Sequence, residues 1–100
     1  MPTVFKTERF DRWFVNLRDL RAQKRIHARI DRMEDGNFGD YKSVGGQVFE
    51  ARIHYGPGYR LYFTLRGKDV VVLLVGGDKS SQRQDIEAAI EEAQSLRKWI

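Results

Sequence analysis

The hydrophobic period of this chain changes from a helical repeat in its first third to a strand repeat in its middle. Apolar residues recur at spacings of three and four up to residue 33, and they alternate with polar residues between residues 48 and 65. A period of 3.6 indicates one buried face of a helix, whereas a period of two indicates one buried face of a strand. A chain with both patterns in separate segments is predicted to have an α+β fold.

The length of 100 residues supports a single domain, residues 1–100, because two smaller cores would each bury too little apolar surface to offset chain entropy. The absence of cysteine excludes disulfides and thiolate zinc sites and suits the reducing cytoplasm. No segment has the apolar character of a signal peptide or the length of a transmembrane helix, so we expect a cytoplasmic protein. The net charge of +4 favours phosphate-bearing or acidic partners, although a solvated surface of mixed charge explains it equally well.

Two amphipathic helices are predicted after a short N-terminal strand at residues 3–5. Thr7 and Asp19 are suited to cap them, because each side chain can accept a hydrogen bond from an unpaired backbone N–H. The second helix is expected to end at Gly36. The apolar stripes that would pair the helices as a hairpin are Phe10, Trp13, Phe14 and Leu17, then Ala22, Ile26, Ile30 and Met33. The outward face of the second helix is expected to carry Arg21, Lys24, Arg25, Arg29 and Arg32 as solvated side chains, with His27 on the surface.

The rest of the chain predicts a surface connection, three strands and a last helix. The glycine-rich residues 37–47 form the connection, and the strands are residues 48–55, 59–65 and 70–75. The third strand is an unbroken apolar run, which is typical of a strand covered on both faces. The last helix starts at Ser80 or Ser81, with Ser81 and Gln84 as a capping box. Its apolar stripe is Ile86, Ala89, Ile90, Ala93, Leu96 and Ile100.

The segment RIHYGPGYRLYF contains the strongest candidate for a functional site. Arg52 and His54 share one face of their strand with Glu50, and the Gly-Pro-Gly turn returns Arg60 to that face. Lys79 follows the neighbouring strand, and the N-terminus of the last helix offers N–H groups that suit a phosphate. The alternative is an exposed sheet face whose polar residues are simply solvated.

RNA cleavage without a metal needs the residue types found in this segment. A base must take the 2′-hydroxyl proton, cations must stabilise the charged phosphate, and an acid must protonate the leaving 5′-oxygen. Arg52, Arg60 and Lys79 suit the second role. His54 suits the base or the acid, and Glu50 or Asp85 suits the other half. Further substrate contacts are expected from Glu50, Lys68 and Arg83.

Other chemistries find little support in the sequence. The two histidines lie far apart, and neither an HExxH motif nor a carboxylate pair offers a metal site. The Gly-Gly pairs do not continue into a nucleotide-binding motif. Trp13 and Trp99 are expected to pack rather than to stack on bases.

Three segments together resemble the RelE/ParE toxin superfamily, and more narrowly its HigB-type branch of phage-derived addiction-module killer proteins. They are TxxFxxWxxxLRD near the N-terminus, FEARIHYGPGYRLYF, and VVVLLVGGDKSSQRQDIEAA. The resemblance implies a RelE-like order β-α-α-β-β-β-α, with a mainly antiparallel four-stranded sheet, a helical hairpin on one face and a C-terminal helix. It also implies that basic residues lie on the open face of the sheet.

The resemblance further implies the toxin of a type II toxin–antitoxin pair. Such a toxin is a ribosome-dependent mRNA endonuclease that enters the A site, needs no cofactor, and forms a complex with a helix-turn-helix antitoxin. By position, Arg60 matches the family's arginine after the turn, and Lys79 matches the basic residue after the central strand. Asp85 stands nearest the family's C-terminal tyrosine base, and Glu50 replaces a lysine, so the base and the acid stay open.

Two other functions remain open at the level of sequence. A ParE-like protein would inhibit DNA gyrase by binding alone, and it would not need the cluster of Arg52, His54, Arg60 and Lys79. A toxin fold without activity would only repress or sequester its partner.

Overall fold

The computed structural model, which describes residues 2–97, contains a five-stranded sheet with helices on both faces. Its elements are β1 (Thr3–Lys6), α1 (Glu8–Val15), α2 (Leu20–Glu34), β2 (Tyr41–Gly45), β3 (Val48–Ile53), β4 (Tyr59–Arg66), β5 (Val70–Gly77), a 3₁₀ turn (Lys79–Ser81) and α3 (Gln82–Arg97). The strand order is β1-β5-β4-β3-β2, with β1 parallel to β5 and the other neighbours antiparallel. The predicted α+β class and mainly antiparallel sheet are confirmed, whereas Trp99 and Ile100 lie outside the described residues.

The prediction of four strands is wrong, because residues 41–45 form the edge strand β2 instead of a surface connection. β2 pairs with β3 through a two-residue turn in which both Gly46 and Gln47 have positive φ, 59° and 64°. Such turns match the twist of a β-hairpin. Within β2 only Val44 is half-buried, so the strand lacks the alternating burial that would reveal it in the sequence.

The predicted helical hairpin is confirmed, and it packs on one face of the sheet. The Thr7 side chain accepts from the Phe10 N–H (3.0 Å), and its hydroxyl donates to the Leu74 carbonyl (2.7 Å). Asp19 caps α2 by accepting from the N–H groups of Arg21 and Ala22. The buried side chains between the helices and this face include Phe10, Ala22, Ile26, Ile30, Met33, Ala51, Ile53, Leu61, Phe63 and Leu73.

The opposite face of the sheet is covered by α3, so the expectation of an open face is wrong. Its buried residues are Val48, Tyr62, Val72, Leu74 and Val75 from the strands, with Ala88, Ala89 and Ala93 from α3. These strand residues need cover because exposed apolar surface is unfavourable in water, and small alanines allow the helix to approach closely. β5 therefore has buried side chains on both faces, as the apolar run predicted.

The helix start differs from the predicted Ser81–Gln84 capping box. Asp78 caps the 3₁₀ turn by accepting from the Ser80 N–H (2.8 Å), and the Ser81 hydroxyl lies 3.4 Å from the Asp78 backbone N. Because Asp78 directly follows β5, this box fixes where α3 begins relative to the sheet.

We expect Gly76→Ala to destabilise the protein by about 1–3 kcal/mol, the usual cost of overpacking. A Cβ at position 76 would overlap the Trp13 ring, so α1 or β5 must shift. Urea denaturation of Gly76→Ala, Trp13→Leu and the double variant measures the effect. The double variant should lose less than the sum of the single losses, because the smaller side chain relieves the overlap. Strict additivity would contradict this packing.

Candidate active site

Arg52 and Arg60 lie directly opposite each other on β3 and β4, on the sheet face that α3 covers. The Arg52 side chain is 33% exposed and the Arg60 side chain 10% exposed. Like charges at directly opposed positions of a sheet repel. Each arginine has its own carboxylate partner, Asp40 for Arg52 and Glu50 for Arg60, and these partners offset the repulsion.

The Glu50 carboxylate is fully buried beneath α3. Its Oε1 lies 3.9 Å from Arg60 Nε, and its Oε2 accepts from the Tyr62 hydroxyl (3.0 Å) and from Gln82 Nε2 (2.7 Å). Burial, with Glu50 close by, raises the pKa of Tyr62, so the phenol stays a donor. Glu50 has no exposed surface for a substrate, which corrects the expected substrate contact. Instead it holds Arg60 and ties α3 to β3.

The Gly-Pro-Gly turn brings Lys79 beside Arg60. Arg60 Nη1 donates to the Gly58 carbonyl (3.3 Å), and the Lys79 N–H donates to the Pro57 carbonyl (3.4 Å). A Cβ on Gly58, where φ is +78°, would lie 3.4 Å from Arg60 Nη1 and 3.5 Å from Lys79 Cβ. Three cationic side chains, Arg52, Arg60 and Lys79, therefore gather where β3 ends and β4 begins.

Asp40 forms hydrogen bonds with both Arg52 and His54 at the end of β3. Its Oδ2 lies 2.8 Å from His54 Nε2, and its Oδ1 accepts from Arg52 Nη2 at 2.9 Å. These hydrogen bonds, from His54 first and then Arg52, lower the pKa of Asp40. The His54 ring is 73% exposed. Asp40 was missed in the sequence because it lies 14 residues from His54, outside any motif.

Arg29 lies beneath this contact, and its prediction as a solvated side chain is wrong. It is 8% exposed and donates to the Arg52 carbonyl (2.8 Å) and, at 3.5 Å, to the Asp40 carbonyl. Burial lowers the pKa of Arg29, and the charge of Arg32 adds to that effect. Gly39, with φ +66°, packs against the guanidinium, since a Cβ there would lie 3.2 Å from Arg29 Cζ.

Asp85 lies at the same end of the sheet, above Gly77, the residue that pairs with Arg60 across β4 and β5. It accepts a hydrogen bond from the Ser81 hydroxyl. Burial raises the pKa of Asp85, and this effect is larger than the lowering of the pKa by the hydrogen bond from Ser81. The helix start itself is less suited to a phosphate than predicted, because the Asp78 carboxylate already accepts the Ser80 N–H.

The structure does not gather the other two predicted substrate contacts with this cluster. Lys68 lies in the turn between β4 and β5, at the opposite end of β4 from Arg60. Arg83 is exposed and lines a surface groove along α3 with Gln82, Ile86 and Glu87.

Two kinds of feature are absent from residues 2–97. No three side chains of His, Cys, Asp or Glu come together there as a metal site. None of the helices in that range is long and apolar enough to cross a membrane.

Comparison with known proteins gives one family and one relative. Residues 12–98 match the family described as phage-derived protein Gp49-like (DUF891). An uncharacterized protein from Haemophilus influenzae is 51% identical over 87 residues, which cover 87% of this chain and 88% of that protein. No solved structure matches the chain.

Asp85→Asn should raise the free energy of unfolding relative to the wild type, and this difference should increase as the pH rises. Burial raises the folded-state pKa of Asp85 above its ordinary value of 3.8, so ionisation costs folding free energy. That cost is absent below 3.8 and complete above the raised pKa. Asparagine never ionises, so the stability difference in its favour should grow as the pH rises from 3.8 through the raised pKa of Asp85, which urea denaturation at a series of pH values measures.

The control is Asp69→Asn, which alters an exposed carboxylate in the β4–β5 turn. A stability difference for Asp85→Asn that does not change with pH would contradict the assigned burial effect.

Proposed function

We propose that this protein, which belongs to the phage-derived Gp49-like family, is a toxin that cleaves mRNA on the ribosome. The family is associated with toxin–antitoxin systems and is related to the RelE/HigB-type toxins. The cleavage would need no metal and would inhibit translation. We further propose a small helix-turn-helix antitoxin as its partner.

The opposed arginines carry this proposal. Four buried side-chain polar atoms within residues 2–97 lack a hydrogen-bond partner, and two of them are the Nε atoms of Arg52 and Arg60. An unsatisfied buried donor costs about 1–3 kcal/mol. Because these Nε atoms themselves are buried, a phosphodiester would bind through Nη atoms of the two guanidinium groups, and its charge would reduce their mutual repulsion. Lys79, which is exposed beside them, adds a third positive charge.

The proposed reaction uses His54 as base and Asp85 as acid. The His54 imidazole takes the 2′-hydroxyl proton, and the 2′-oxygen bonds to phosphorus while the bond from phosphorus to the 5′-oxygen breaks. Asp85 then protonates the 5′-oxygen. The products are a 2′,3′-cyclic phosphate and a 5′-hydroxyl end. The raised pKa of Asp85 favours this assignment, because a carboxyl group must hold its proton to act as an acid.

Access to this centre is from the end of the sheet. α3 covers the face on which the arginines lie, whereas His54 and Lys79 are exposed at the point where β3 and β4 meet their turn. A single RNA strand could reach the cluster from that side without displacing α3.

Lys79→Ala should slow mRNA cleavage by about 10²-fold, because it removes one charge that stabilises the transition state. The side chain is exposed, so the fold should be unaffected. The measurement is transcript mapping by primer extension after controlled expression, together with growth arrest. The matched control is Lys24→Ala, an exposed lysine on α2.

Equal rates of cleavage by Lys79→Ala and the wild type would show that Lys79 does not contribute to the reaction. Intact transcripts with an SOS response after wild-type expression would instead support gyrase inhibition and overturn the nuclease proposal. Wild-type expression with no growth defect would support an inactive toxin fold.

A further inference from the structure

We propose that Asp40 is a positioning residue of this centre: it holds His54 through Nε2 and so leaves Nδ1 as the nitrogen that takes the 2′-hydroxyl proton. This inference rests on the proposed function and deepens it by assigning a residue that no sequence pattern indicates.

The hydrogen-bonding capacity of a carboxylate decides the tautomer of His54. An ionised carboxylate only accepts, so the contact of 2.8 Å between Asp40 Oδ2 and His54 Nε2 requires a proton on Nε2. A neutral imidazole with its proton on Nε2 has its lone pair on Nδ1. The lowered pKa of Asp40 keeps the carboxylate ionised at neutral pH, which maintains this arrangement.

Contacts with two arginines hold Asp40 itself in position. Its Oδ1 is held by Arg52 Nη2, and its carbonyl accepts from the Arg52 N–H at 2.9 Å. The buried Arg29 guanidinium contacts the carbonyls of both Asp40 and Arg52, so α2 supports the loop from below. A group held by several such contacts can orient a neighbour with little loss of entropy during the reaction.

The same contact would stabilise the charge that forms on His54. When Nδ1 takes the 2′-hydroxyl proton, the ring becomes an imidazolium with an N–H on each nitrogen. The Nε2–H still donates to the Asp40 carboxylate, now as a charge-assisted hydrogen bond. The proton on Nδ1 is released to water after cleavage. No other proton acceptor is required at Nε2.

Asp40→Asn separates orientation from simple charge. An asparagine has one acceptor oxygen, and Arg52 can only donate to it. When that oxygen accepts from Arg52, the amide NH₂ group faces His54 and donates to Nε2. This contact favours a proton on Nδ1, the unproductive tautomer. We expect cleavage to fall by about 10²- to 10⁴-fold, the range of general base catalysis.

The matched control is Asp31→Asn. Asp31 pairs with His27 on the surface of α2, with 3.2 Å between its Oδ2 and His27 Nδ1. That variant breaks a second carboxylate–histidine pair of the same chain and should leave cleavage unchanged.

A double variant and ring NMR provide readouts that a structural role would not change. Asp40→Asn/His54→Ala should cleave no more slowly than His54→Ala, because the asparagine oxygen still accepts from Arg52 and the rest of the effect of Asp40 acts through the histidine. Ring ¹⁵N shifts of the full-length wild type, at a pH where His54 is neutral, should show the proton on Nε2. This second measurement needs no variant, so it stands if Asp40→Asn fails to fold.

Three outcomes would overturn the inference. A wild-type His54 with its proton on Nδ1 would do so directly, and so would cleavage by a folded Asp40→Asn variant at the wild-type rate. In either case an active wild type would leave the nuclease proposal intact. Intact transcripts with the wild type would overturn the proposed function and the inference with it.

Discussion

The buried carboxylate of Glu50 is the interaction on which the candidate site depends. It joins three elements, because it lies on β3, faces Arg60 and Tyr62 of β4, and accepts from Gln82 at the start of α3. Removing one partner of a buried ion pair typically costs about 3–5 kcal/mol, since the other charge is left uncompensated. The pair therefore fixes both the depth of Arg60 and the position of α3 above the sheet.

Two carboxylates prepare the opposed arginines for an anion. Asp40 holds Arg52 from the side of β2, and Glu50 holds Arg60 from beneath α3. Each carboxylate compensates one guanidinium charge and holds that guanidinium in position. Donors held in place in this way need not reorganise when a phosphate binds, which is the basis of electrostatic preorganisation.

The edge strand β2 explains how a loop residue such as Asp40 can occupy a precise position. The Arg52 N–H donates to the Asp40 carbonyl, so the ladder between β2 and β3 extends one residue beyond the strand itself. Gly39 then allows the chain to pass close over the buried Arg29. In a four-stranded sheet without β2, Asp40 would have no such support and His54 would lack its partner.

Local pattern alone determined the elements whose physics is local. The stripes of α1 and α2, the caps at Thr7 and Asp19, and the shared face of Arg52 and Arg60 follow from helical and strand periodicity. The burial of Arg29 could also have been predicted, since it falls three residues after Ile26 and four before Met33 on the buried stripe. It was assigned to the surface because its side chain is charged. Only the tertiary structure decided that β2 exists, that α3 covers the charged face, and that Asp40 and Glu50 are the partners of the two arginines. These features depend on contacts between segments far apart in the chain, which no periodicity records.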